Sequence, residues 1–191
     1  MVFGPLAYLP PEATERASIS EVPRAPMNNE ADAEFPNELS RDFAHAMDVA
    51  NVETFAGDFA TAKDVYKKLE NEFVSRAEED EVIEIQRRVA EAILKAGVEK
   101  HAPFEACTEC WNELLRLGFT NLDRTCTMSW YYAECCRQNR QPDVGAAVLK
   151  PLIAKLQRLL GDPDLDEDEA EYYRYEIANL SKLHARLEAL P

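Results

Sequence analysis

The sequence predicts an all-α fold of antiparallel helix pairs, and three observations predict it. From about residue 41 apolar residues recur at spacings of three and four. No stretch alternates apolar and polar residues as a strand would. Short joints marked by glycine or proline separate the periodic stretches. A period of 3.6 residues marks a helix with one buried face, and joints this short turn successive helices back on each other.

Residues 1–40 stand apart. Pro5, Pro10, Pro11, Pro23, Pro26 and Pro36 are six of the eleven prolines, and no apolar period runs between them. Proline fixes φ and removes a donor, so this segment reads as an extended or partly disordered arm. It also carries Phe3, Leu6, Tyr8, Leu9, Ile19 and Phe35. A solvated tail has less use for such residues, so the arm is expected to lie along the helical body or to dock on a partner.

Residues 41–191 form the expected helical domain. Helices are expected over roughly 41–55, 59–75, 80–96, 103–117, 121–138, 143–160 and 166–189. Gly57-Asp58 ends the first and opens the second, and Gly97 closes the third. Pro103 suits the first turn of the fourth, Gly118 closes it, and Asn121 caps the fifth. Pro142-Asp143 and Gly161-Asp162-Pro163 mark the last two joints. Three stripes fit burial of one face: Phe104, Cys107, Trp111, Leu114; then Leu122, Cys126, Ser129, Ala133, Cys136; then Tyr173, Ile177, Leu180, His184, Leu187.

Composition limits the function. Hydrophobic residues make up 46% of the 191, enough for a real core. Acidic residues outnumber basic ones 36 to 21, a net charge of −15. A phosphate backbone would be repelled by that charge, so nucleic acid is not an expected partner, whereas a basic protein would be attracted. The N-terminal stretch is broken by prolines and has no basic residue before Arg16, unlike a signal peptide or a membrane span. An odd number of cysteines, clustered in the middle of the chain, does not resemble a secreted disulfide framework. The expected compartment is the cytoplasm.

Candidate chemistry is thin. Cys107 and Cys110 form a C-x-x-C pair, which can bind zinc or cycle redox states. The redox version calls for a βαβ setting, and zinc needs further ligands from Cys126 or the adjacent Cys135-Cys136. Neighbours on a helix point about 100° apart, so that last pair chelates poorly. Cys107, Cys126 and Cys136 lie on apolar stripes, where cysteine serves as a small hydrophobe; core burial is the expectation, with no metal and no cofactor. The acids Asp162, Asp164, Asp166 and Asp168 alternate like a calcium loop, but Glu167 replaces its glycine and Tyr173 its final glutamate. They suit the N-terminus of the last helix instead. His45, His101 and His184 have no motif around them, and no nucleophile or nucleotide fingerprint occurs, so no catalytic residue is expected.

One segment carries a family resemblance. Gly57-Asp58 is followed by Phe59, Ala62, Tyr66 and Leu69, which resembles the second half of a tetratricopeptide repeat. Glycine permits the tight turn, alanine lets two helices approach, and tyrosine fills the gap beyond. Ser129 to Ile153 is a second, looser match, with Ala133 and Gly145 at the small positions and Val148-Leu149-Lys150-Pro151-Leu152-Ile153 as its ending. Residues 80–117 match in outline, with Ala106 as the small residue. The resemblance covers about residues 41–160. It implies a short α-solenoid in which helix 166–189, laced with Glu, Lys and Arg, is the C-terminal cap.

Such a stack implies a protein-binding module, an adaptor, chaperone or assembly subunit. Its groove would be lined by the first helix of each pair, residues 41–55, 80–96 and 121–138. Asn51, Arg87, Arg88, Trp130, Tyr131, Arg137 and Asn139 are the expected partner contacts, chosen for polarity or aromaticity on those helices. The expected partner is another protein, to which the net charge would draw a basic surface, and a second copy of the chain is compatible with the same reading. An alternative is an acidic inhibitor, of the immunity-protein kind, covering a basic toxin or enzyme surface.

Overall fold

Apolar stripes need a second surface to cover them, and the chain supplies it by folding seven helices against their neighbours. A computed structural model describes residues 38–190. The arm expected over residues 1–40 lies, up to residue 37, outside the described residues. The helices are α1 (Glu38–Thr54), α2 (Phe59–Val74), α3 (Glu79–Glu99), α4 (Phe104–Leu117), α5 (Leu122–Gln138), α6 (Pro142–Leu160) and α7 (Glu167–Glu188), and no strand occurs among the described residues.

Side-chain caps fix several starts. Asp58, Asn121 and Asp166 each accept a hydrogen bond from the backbone N–H three residues on, at 2.8 Å. Each satisfies an otherwise orphaned donor of the first turn. At α3 the Glu81 carboxylate accepts from the Glu78 N–H at 2.9 Å, one arm of a capping box.

The largest boundary differences are at α1, which starts at Glu38 rather than near 41, and at the end of α3. Gly97 does not close α3, which continues to Glu99. Gly97 marks a close approach instead: a Cβ there would stand 2.9 Å from Cys107 Sγ, where α4 crosses. Pro151 lies inside α6, which runs on to Leu160 as the expected helix over 143–160 does. A proline leaves the carbonyl four residues back without its helical donor. Here Ala147 and Pro151 both lie on the exposed side, where water can take that bond.

Sequential helices run antiparallel. Arg76 at the end of α2 meets Asp42 near the start of α1, and Arg87 early in α3 reaches the carbonyls of Leu117 and Gly118 at the end of α4. Gly145 early in α6 lies against Cys136 late in α5 and Leu187 late in α7. Alternate helices therefore run parallel. Arg124–Glu91 and Gln138–Val98 join α3 to α5 level by level, and Tyr172–Asp123 joins α5 to α7. The first helices of the pairs begin at residues 38, 79, 122 and 167, intervals of 41, 43 and 45. These exceed the period of about 34 of tetratricopeptide repeats. Ala62 and Tyr66 are buried in the core cluster against which Phe59 and Leu69 pack.

The core forms two clusters that meet on α5. One joins α1 to α5 through Phe43, Phe73, Val89, Ile93, Leu94, Trp111 and Tyr132. The other joins α5 to α7 through Cys126, Ala133, Leu149, Leu156, Leu180 and Leu187. Trp111 stacks on Tyr132 with ring centroids 4.9 Å apart and planes 3° from parallel. Helix α5 is thus buried on two sides.

The α5–α6–α7 junction depends on Gly145, since a Cβ would meet the Leu187 methyls at 2.9 and 3.1 Å and Cys136 Cβ at 3.1 Å. Leu187 is fully buried, so its methyls can shift only against packed neighbours. Gly145→Ala is expected to lower stability by about 1 kcal/mol, the crowding outweighing the gain in helix propensity. In a Leu187→Ala background the same change should be neutral or stabilising, read by denaturant midpoint.

Candidate functional site

Because α3 and α5 run parallel and touch, they share one face on the side turned away from α4. At 100° per residue, Glu84, Arg88, Lys95 and Glu99 fall on one strip of α3, and all are exposed or half-exposed. On α5 the corresponding strip is Thr127 and Glu134, flanked by Tyr131 toward α3 and Trp130 toward α7. The Trp130 and Tyr131 rings stand nearly perpendicular, 88° between planes and 5.3 Å between centroids.

Two carboxylates lie in this face nearly out of solvent. Glu91 on α3 and Glu134 on α5 are each only 8% exposed. Each is the thirteenth residue of its helix, in equivalent places 43 residues apart. Glu91 takes a hydrogen bond from Arg124 Nη1 at 3.3 Å. Burial pushes its carboxyl above the usual range, and the Arg124 charge opposes that. Glu134 receives Arg137 in a fork, Nε at 2.8 Å and Nη2 at 2.6 Å. A buried charge needs such a partner, since leaving one unpaired is strongly destabilising.

The expected contact residues divide into two groups. Three of them hold the fold. Asn51 Oδ1 accepts from the Tyr66 hydroxyl at 2.7 Å, tying α1 to α2. Arg87 Nε donates to Gly118 O at 2.7 Å and closes the end of α4, while also pairing with Glu84. Asn139 Nδ2 donates to Ala102 O at 3.1 Å and Cys135 O at 3.0 Å. The other four, Arg88, Trp130, Tyr131 and Arg137, gather on the shared face. Arg88 also lies over the Phe43 ring of α1, 5.6 Å from its centre.

Sequence reasoning passed over Glu91, Glu99 and Glu134. The signal available was a glutamate set among small and apolar residues twice over, in Ala90-Glu91-Ala92 and Ala133-Glu134-Cys135. Tyr132 goes into the core, 3% exposed, while Trp130 and Tyr131 stay half-buried at the surface. Burial first, and the Glu99 carboxylate second, push the Tyr131 phenol up.

The cysteines occupy the interior. All five are free and buried. Cys107 lies against Cys135 across the α4–α5 contact, its thiol hydrogen-bonded to the Cys135 sulfur, and that contact holds Cys107 up and Cys135 down. Burial pushes Cys110 up to about 11, and Cys126 and Cys136 up to about 12. Protonated, buried thiols act as small apolar spacers between helices. Among the described residues no three His, Cys, Asp or Glu side chains are placed to hold a metal ion. No described helix is long and apolar enough to cross a membrane. Comparison with protein-family models, curated proteins and solved structures returns no match.

Beside the shared face, Glu176 on α7 has an unusual position. Burial first, and the Asp123 carboxylate of α5 second, push its carboxyl from 4.5 up to about 7. The folded chain therefore holds this proton more tightly than the unfolded chain, and stability falls as pH rises from about 4.5 through 7. Glu176→Gln is expected to stabilise the protein at pH 8 by about 1 kcal/mol, after allowance for partial solvent screening, and to change nothing near pH 4. Urea melts across this range check it.

Proposed function

We propose that this chain is a protein–protein interaction module, an adaptor, chaperone or assembly subunit of the cytoplasm, that holds a segment of a partner protein against the shared face of α3 and α5. One observation carries the reading: aromatic rings and charged groups meet there, with Glu91 and Glu134 nearly fully buried at equivalent places in successive helix pairs. Buried carboxylates do little for stability that apolar residues would not do better, so their use on one exposed face points to recognition. Half-buried Trp and Tyr beside them are effective anchors for a partner. A helix or extended peptide fits a face built from parallel helices. The tetratricopeptide resemblance of residues 57–69 agrees with this class of protein, and a homo-oligomer could use the same face.

A second reading has support of its own. Parallel first helices begin along one edge, and their first turns carry Glu38, Glu79, Asp80, Glu81, Asp123, Glu167, Asp168 and Glu169. Such an edge attracts a basic protein surface by its field, as an acidic inhibitor would.

Lysine-directed crosslinking of the full chain in extract of its own cells separates the two. The shared-face reading expects crosslinks at Lys95 of α3 rather than at Lys68, Lys150 or Lys155, all four being exposed. It also expects binding to fall in Trp130→Ser and to persist in Leu115→Ser, whose exposed side chain lies on α4. Crosslinks confined to α2 and α6, with binding indifferent to Trp130→Ser, would refute it. A complex insensitive to Trp130 whose on-rate collapses with salt would favour the acidic edge.

A further inference from the structure

The perpendicular pair Trp130 and Tyr131 forms a corner with no cation of this chain over it among the described residues. The nearby guanidiniums are engaged elsewhere. Arg88 covers Phe43, Arg124 meets Glu91, Arg137 is forked on Glu134, and Arg87 closes α4. Lys95 forms no ion pair with Glu99, one turn further along α3. Glu99 is exposed and shares the α3 strip of Glu84, Arg88 and Lys95.

We propose that this corner seats a cationic side chain of the partner, arginine by preference, stacked on the Trp130 and Tyr131 rings with the Glu99 carboxylate as its counter-charge. The proposal rests on the shared α3–α5 face being the partner-binding surface. Aromatic faces carry negative quadrupole density and attract a cation, and Trp does so best. A guanidinium is planar and weakly hydrated, so it can stack on one ring while its edge reaches a carboxylate. The net charge of −15 draws a basic segment toward the chain before any contact is made. Burial first and the Glu99 charge second raise the Tyr131 phenol, so the carboxylate's field reaches the corner.

The chain contains two tryptophans, which makes the test direct. Trp111 is packed against Tyr132 and Phe119 in the core, so its indole N–H resonance is an internal control. In the ¹⁵N-labelled full chain, a hexa-arginine peptide should shift the Trp130 indole resonance saturably and leave Trp111 in place. The hexa-citrulline peptide, equal in shape but uncharged, should shift neither. Glu99→Gln should weaken the hexa-arginine response about fivefold, and Lys95→Ala should strengthen it. A silent Trp130, an equal response to citrulline, or an unchanged affinity in Glu99→Gln would each overturn the seat. Partner crosslinks at Lys95 with a silent Trp130 would remove the seat and leave the broader reading. Crosslinks confined to α2 and α6 would remove the broader reading.

Discussion

Everything in this fold depends on α5 being able to accept neighbours on several sides at once. It touches α3, α4, α6 and α7, and both core clusters end on it. A helix with large apolar residues all round would hold those four partners too far apart. The sides that meet them are lined instead by Cys126, Ser129, Ala133, Cys135 and Cys136, all buried. Small side chains let helix axes approach, and the remaining gaps are filled from opposite by Leu149, Leu187 and the Trp111–Tyr132 stack. The concentration of cysteine that first suggests metal or redox chemistry is, in this arrangement, a packing device.

That constraint also decides what is left for function. With two flanks of α5 committed to the core, the strip between α3 and α7 carries side chains of mixed character, the half-buried Thr127, Trp130 and Tyr131 and the buried Glu134. Glu91 and Glu134 hold the same position in successive first helices, while the residues beside them differ, Arg88 matching Tyr131 and Glu84 matching Thr127.

Much of the fold was legible because helix formation is local. The seven helices follow from the apolar period, and Asp58, Asn121 and Asp166 cap them for reasons visible within four residues of sequence. Gly97 misled because it was read as punctuation, whereas it answers to Cys107 on another helix. The site was less legible for the same reason. Nothing near Arg87 in sequence indicates that the end of α4 lies within its reach, and nothing near Asn139 points to Ala102. Polarity alone selected both as partner contacts, while long-range hydrogen bonds engage them in the fold. Glu91 and Glu134 escaped notice because a glutamate on a helix is ordinarily solvated, and only the packing of α3 on α5 takes these two out of water.

Native-state hydrogen exchange, followed residue by residue, tests the central role of α5 most directly. If α5 is where both clusters close, the amides of Met128 to Cys136 should be the slowest in the chain, opening only with global unfolding, while α1 and the second half of α6 exchange sooner. Amides of α5 that open before those of α3, or together with α7 alone, would contradict the account, because the two clusters would then stand without the helix that is supposed to join them.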